Sequence, residues 1–345
     1  MDPDFKLLKM AKRIALKDIA EKVGVSIALV SYVMNGQEKE KRVGADVVER
    51  IRKVALELNY KPNQIAQSLR TGLTKTIGLI VADIANPFFG NLARVIEDEA
   101  STYGYTVIFG SSDEDSNKSA SLIDILLNRQ VDGFIIVPAE GTEAQIKSLQ
   151  DRAIPLVLTD RYFSNLSTNY VVLDNYSAAF DAVAHLTGNG YNRIGMIAYR
   201  SDLIHMQERI RGYSEAIKRV LPENDIQLEE VSYNNINTDT EKAIEKLTRG
   251  EYKLDALIFA TNALTISGLY SIKKLNLKVP EELAIVGFDG NAAFDFFSSP
   301  LSYIEQPIEE MGREAVRVLI EQINGSSEIV QINLKHTLIK RQSSM

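Results

Sequence analysis

The sequence has no cysteine and no tryptophan among its 345 residues, and only three histidines. Absence of cysteine excludes a disulfide scaffold, a thiolate metal site and a cysteine nucleophile together. Absence of tryptophan leaves any ring stacking on a ligand to Phe or Tyr. Three scattered histidines form no metal cluster, so neither a metal nor a cofactor is expected. No run reaches the ~18 to 20 uninterrupted apolar residues of a membrane helix, and the opening MDPDFKLLKMAKR lacks the apolar core of a signal peptide. The expectation is a cytoplasmic protein with no membrane contact. Enzyme motifs are also missing. There is no G-x-S-x-G elbow and no phosphate-cradling P-loop, and GNG at 188–190 lacks the third glycine of a dinucleotide fingerprint because Arg193 stands in its place. The expectation is that the protein is not an enzyme.

What is present is an ordinary globular composition, 45% apolar and 25% charged, in a chain long enough for two or three domains. The net charge of −7 is unevenly spread. Residues 1–73 carry 14 Lys and Arg against 9 Asp and Glu, and the remainder 25 against 37. A basic head on an acidic body suggests that the head meets a polyanion.

From Thr76 onward, short β-rich runs alternate with helical patterns. The strand candidates are 76–83, 106–112, 133–139, 155–160, 170–174, 193–199, 256–262 and 283–289. Most are apolar without alternation, as parallel strands covered on both faces should be. Helical patterns such as Phe88 to Thr102 and Ala178 to Leu186 lie between them, with Gly104 and Gly190 as stops. Eight strands exceed one doubly wound sheet of ordinary size, so the expected fold is α/β with two doubly wound subdomains and a cleft between them.

The head is all-α. Asp18 to Val23, Ser26 to Met34 and Asp46 to Leu58 are three helical patterns with no strand among them. Ile19, Ala20 and Val23 share one face, and Val25, Leu29, Val30 and Val33 another. Gly24 supplies the left-handed turn between them, Ala20 is small where the helices must cross, and Ser26 is a good N-cap. Alanine at position zero, glycine at plus four and an apolar residue at plus ten is the spacing of a helix-turn-helix. Ile27, Ala28, Ser31, Tyr32 and Asn35 remain outward as candidate base readers. A plain three-helix bundle has the same spacing. After Lys61-Pro62 ends the third helix, NQIAQSLRTG reads as a helix with Asn63 as N-cap and Gly72 as stop. At about two turns it needs a docking partner to be stable.

IALKDIAEKVGVSIALVSYVMNG followed by NYKPNQIAQSLRTG resembles the head and hinge of the lactose/galactose repressor family. KTIGLIVADIANPFF, QVDGFIIVPA, AIVGFDG and IEQP resemble its effector-binding core of periplasmic-binding-protein type. The likeness runs from about Ile14 to Arg341. It implies a helix-turn-helix domain at 14–61, a hinge helix at 62–73 and a core at 74–345, after an extension at 1–13 of which residues 1–9 precede a family-like start at Met10. Within the core it implies one subdomain of about 74–173 and 305–334 and another of about 174–304 and 335–345. It further implies a homodimer or higher homo-oligomer on double-stranded operator DNA. Ser26 to Tyr32 would read each half-site, Asn63, Ala66, Leu69 and Arg70 would contact the operator centre, and Leu69 would wedge into the minor groove. A small-molecule effector, a sugar or a nucleobase, would lie against Phe88, Phe89, Asp160, Arg161, Arg209, Asn262 and Asp289. His205 would lie nearby. The implied role is a repressor of carbohydrate genes, released from or recruited to its operator by the effector. A purine- or phosphoprotein-responsive regulator is the alternative within the family, and a solute-binding protein the alternative outside it. The head departs from the family pattern where Tyr32 stands for the usual arginine, so the operator preference does not carry over. Gly44 also stands where a phosphate-binding hydroxyl is common, in a loop longer than usual, with Lys39, Lys41 and Arg42 as possible substitutes for that phosphate contact.

Overall fold

A computed structural model describes residues 14–61, 68–69, 71–250 and 253–345. The chain divides into two units, one ending at Thr74 and one starting at Lys75. The first holds α1 (Leu16–Val23), α2 (Ile27–Met34) and α3 (Ala45–Glu57). Their core is Ile19, Ala20, Val23, Val30, Val33, Val48, Ile51 and Ala55. Gly24 ends α1 at φ 79°, and its N–H and that of Val25 both reach the Ala20 carbonyl. One expected core residue departs from this arrangement. Leu29 is only half-buried and lies outside the cluster, whereas Met34 packs against it. On so short a helix a one-residue difference in facing decides which side chain reaches α1 and α3.

The second unit alternates strands and helices. Its first half is β1 (Thr76–Val81), α4 (Pro87–Thr102), β2 (Thr106–Ser111), α5 (Ser116–Asn128), β3 (Gly133–Ile136), α6 (Glu143–Asp151), β4 (Leu156–Thr159) and β5 (Asn169–Leu173). There follow α7 (Asn175–Gly188), β6 (Ile194–Tyr199), α8 (Ile204–Val220), β7 (Gln227–Val231), α9 (Ile236–Arg249), β8 (Ala256–Phe259), α10 (Asn262–Lys274), β9 (Ala284–Phe288), α11 (Ala293–Phe296) and β10 (Ser302–Glu305). α12 (Ile308–Ile323), β11 (Gln331–Leu334) and β12 (Thr337–Ile339) complete it. Two six-stranded sheets result, ordered β11-β5-β4-β3-β1-β2 and β12-β10-β9-β8-β6-β7. Every pairing is parallel except β10 with β12. The chain passes between the sheets after β5, after β10 and after β11, so each lobe is built from discontinuous segments.

Parallel pairing accounts for the continuous apolar runs. Ile77, Leu79 and Val81 enter one layer with Ile135, Val157 and Val171, while Ile80 enters the opposite layer with Phe134, Ile136 and Leu158. Successive side chains thus point to opposite faces, and both faces are covered. Strand β2 is an exception because it is a sheet edge, with Phe109 60% exposed. Four strands escaped the sequence reading. β7, β10, β11 and β12 are short and partly polar, and each of their places is set by a long-range crossover rather than by local pattern. Gly104 and Gly190 sit at φ 72° and 90° just past α4 and α7, satisfying carbonyls at those helix ends.

Helices α7 and α8 cross closely where Gly212 meets the Tyr176 backbone. A Cβ on Gly212 would lie 2.2 Å from the Tyr176 carbonyl oxygen. Backbone cannot yield there as a flexible side chain can. Gly212→Ala is therefore expected to cost about 1–3 kcal/mol, read as a loss of several degrees in the Tm of the second unit by calorimetry at roughly 2–4 °C per kcal/mol. An unchanged Tm would show that the helices do not pack this closely.

Candidate effector cavity and nucleic-acid interface

In both sheets the strand order reverses beside the first strand of the lobe, β1 in one and β6 in the other. Ligand clefts form at such switch points, beyond the carboxyl ends of the strands. A cavity of about 750 Å³ lies there, lined from both lobes. The seven expected effector residues all line it, as do His205, Glu114, Tyr199, Tyr233 and Gln306.

Asp160 follows β4 and Asp289 follows β9, both with left-handed backbone at φ 65° and 59°. Asp tolerates that region better than most residues, and the turn ends each strand with a carboxylate at the cavity wall. Arg161 is buried and gives both arms of its guanidinium to Glu114, Nη1 to Oε2 and Nη2 to Oε1, each at 2.7 Å. Its Nε lies 3.4 Å from Asp160 Oδ2 without a hydrogen bond. Arg209 is equally buried. Its Nε donates to Asn175 Oδ1 at 2.8 Å, its Nη1 donates to the Ala260 carbonyl at 2.6 Å, and its plane lies 3.7 Å from the Phe288 ring centroid. Asn262 donates from Nδ2 to the Asp289 carbonyl, and Gln306 donates from Nε2 to Asp289 Oδ1 at 2.8 Å.

The aromatic wall is Phe88 and Phe89 at the start of α4, edge to face at 5.0 Å. Pro87 opens that helix, and Asn86 caps it by accepting the Phe88 N–H. Both rings also belong to the core of their lobe, so core and cavity roles coincide in them. Across the cleft Tyr233 reaches Asp83 by a long 3.3 Å contact from its hydroxyl, with its ring 5.5 Å from that of Tyr199.

Burial sets the electrostatics. It raises the Asp160 carboxyl above the ordinary range, partly opposed by Arg161 and Arg209. It raises Asp289 from 3.8 to about 6, opposed by Arg209 and the Gln306 hydrogen bond. Burial and the two arginines hold the His205 imidazole well below its usual range, so it is neutral at pH 7.

In the first unit the expected readers occupy two environments. Ile27 (49% exposed) and Ala28 face solvent, and Ser31 and Tyr32 are half-buried. Ser26 caps α2, its Oγ accepting the Leu29 N–H at 3.2 Å. Asn35 is the C-cap of α2, its amide donating to the Ser31 carbonyl at 2.7 Å and to Ser31 Oγ at 3.1 Å. Those bonds compete with any base contact by Asn35 or Ser31. Lys41 pairs with Glu40 and lies 5.8 Å from the Tyr32 ring centroid, and Glu38 ties the following loop to Arg52 on α3. Leu69 is 84% exposed. Asn63, Ala66 and Arg70 lie outside the described residues.

This geometry can be compared with known proteins. Residues 74–342 match the model for periplasmic binding proteins and the sugar binding domain of the LacI family, and residues 15–63 match that for bacterial regulatory proteins of the lacI family. The chain belongs to the LacI family. Like the family's other members, this LacI-family chain is a DNA-binding transcriptional regulator that responds to a small-molecule effector. It is 31% identical to the HTH-type transcriptional repressor CytR of Escherichia coli (strain K12) over 322 residues, 93% of each chain. In fold it is similar to the lac repressor dimer bound to operator and the anti-inducer ONPF, at TM-score 0.85 and 21% identity over 97% of this chain and 100% of that one. It is also similar to the transcriptional regulator CelR in complex with cellobiose, at TM-score 0.69 and 25% identity over 96% and 100% of the two chains. No helix among the described residues is long and apolar enough to cross a membrane.

Several lining residues of this LacI-family cavity escaped the sequence reading. Glu114 lies just beyond β2, so the strand-end argument that found Asp160 and Asp289 applies to it equally. Tyr199 ends β6 and was open to the same argument. Tyr233 carried no local signal, since its place depends on a crossover; Asn175, which holds Arg209 from behind the wall, stands just past β5 and was open to the strand-end argument.

The Asp289 shift has a testable sign. Its folded value of about 6 lies above the unfolded 3.8, so the folded state binds the extra proton. The stabilisation this provides is full below pH 4 and is lost as pH rises through 6. Asp289→Asn removes the dependence. Relative to wild type, the variant should gain about 1.4 kcal/mol of stability between pH 5 and pH 7.5 in urea unfolding. A difference that does not vary with pH would show that the carboxyl titrates normally.

Proposed function

We propose that the protein is a homodimeric, cytoplasmic repressor of carbohydrate-utilisation genes, bound to a near-palindromic operator and controlled by a sugar held in the 750 Å³ cavity. One observation carries the reading. A single chain joins a helix-turn-helix whose second helix has no charged side chain to an α/β core whose cleft is ringed by buried carboxylates, amides and guanidinium groups. The helix suits base reading, with Lys and Arg elsewhere in the head left for phosphates. The ring suits a polyhydroxyl ligand, because hydroxyls both donate and accept, and Phe88 and Phe89 offer apolar faces to a sugar ring. The cellobiose complex of the related regulator supports the same ligand class. Phe88, Phe89, Asp160, Arg161, Arg209, Asn262 and Asp289 are the proposed effector contacts. Ser26, Ile27, Ala28, Ser31, Tyr32 and Asn35, with Asn63, Ala66, Leu69 and Arg70, are the proposed operator contacts.

Leu69 is a large apolar side chain left 84% exposed, as a wedge between base steps requires. Leu69→Ala should weaken specific operator binding by tenfold or more, about 1.4 kcal/mol, with non-specific DNA affinity nearly unchanged in fluorescence anisotropy. Equal loss on both DNAs would remove the wedge role. For the effector, a thermal-shift screen of D-glucose, D-xylose, D-ribose, cellobiose, adenine and hypoxanthine tests the class. A sugar at about 100 times its Kd should add ~2.7 kcal/mol. A response to a purine alone would replace the sugar reading with the purine-responsive one.

A further inference from the structure

The cavity holds two buried guanidinium groups, and the Nη1/Nη2 fork of Arg161 is already occupied by Glu114. Arg161 gives one N–H of each Nη to Glu114 at 2.7 Å, its Nη1 also lies 3.4 Å from the Pro138 carbonyl, and its Nε is without a hydrogen bond 3.4 Å from Asp160. Arg209 is held by Asn175, the Ala260 carbonyl and the Phe288 ring, with Asp160 and Asp289 supplying opposite charge. Arg200 is exposed at the rim. Against these three cations the described lining carries seven carboxylates: Glu114, Asp160, Asp289, and four nearer the mouth, Asp83, Asp113, Asp115 and Glu140. His205 contributes no compensating charge, being neutral for the reasons above.

We propose that Glu114 sets the charge class of the effector: by closing the Arg161 fork it makes the cavity select an uncharged polyhydroxyl ligand and reject the corresponding acid or phosphate. This inference rests on reading the cavity as the effector site. A free, buried guanidinium fork is the geometry that captures carboxylate or phosphate through two parallel hydrogen bonds. With Glu114 seated in it, an anion meets a cation that is already neutralised, amid carboxylates that repel it. A hydroxyl group can both donate to the carboxylates and accept from the remaining N–H donors of the cavity wall, so it needs no free cation. Selectivity arises from the charge placed against the wrong ligand as much as from contacts to the right one.

The test uses the full-length protein at constant ionic strength and pH 7.5, with inorganic phosphate and D-glucuronate as probes in isothermal titration calorimetry. Wild type should bind neither probe measurably. Glu114→Gln, nearly the same shape but uncharged, should gain at least tenfold in affinity for both, whereas Glu114→Asp should not. Adding Arg161→Gln to Glu114→Gln should abolish the gain. Wild-type binding of either probe as tight as that of Glu114→Gln would overturn the proposal. So would a folded Glu114→Gln without gain, or a gain that survives loss of Arg161. If Glu114→Gln does not fold, Glu114→Ala is measured in its place against the same expectations. Failure of every neutral sugar in the thermal-shift screen would sink the sugar reading while leaving the phosphate result to judge Glu114 separately.

Discussion

A parallel β-sheet has to be covered on both faces, and the rest of the effector unit depends on that constraint. Its central strands are nearly continuous apolar runs, buried along their length, so polar chemistry is largely excluded from the middle of the sheets and concentrated at the strand ends. Two such sheets, each reversing its order at the first strand of its lobe, bring two sets of strand ends to one cleft. Asp160, Arg161 and Asp289 are functional candidates because they sit just past β4 and β9, where the apolar run stops.

What gathers at the cleft is costly to bury. A guanidinium or carboxylate removed from water needs a partner and hydrogen bonds. The observed solutions are Arg161 on Glu114, Arg209 on Asn175, Ala260 and Phe288, and Asp289 on Gln306. Breaking a buried ion pair by removing one member commonly costs roughly 3–5 kcal/mol, because the charge left behind is buried without compensation. Three buried polar atoms there, Arg161 Nε, His205 Nδ1 and Gln306 Oε1, have no hydrogen-bond partner.

The head follows a different logic. Among the described residues its core is eight buried side chains, and α2 contributes only Val30 and Val33 to it. Tyr32, half-buried beside Lys41, and the Asn35 amide, bonded to Ser31, limit which side chains on that face are available to a base edge. Ile27 and Ala28 are the most exposed of the four residues Ile27, Ala28, Ser31 and Tyr32 on that face.

Local signals made much of this legible. The eight apolar runs, the Gly24 turn, the Ser26 cap, the glycine stops after α4 and α7 and the strand-end charges all follow from rules acting over a few residues. By itself the sequence determined the two units, the parallel sheets and the carboxylates, amides and arginines that converge on the cleft. Tertiary structure decided the rest. It placed the short strands β7, β10, β11 and β12, left Leu29 half-buried outside the head core and brought Asn175 to Arg209 and Tyr233 to Asp83. It also closed the Arg161 fork with Glu114, 47 residues away. These outcomes depend on crossovers between lobes and on which buried charge finds which partner, and pairings over such distances leave no periodicity in the chain.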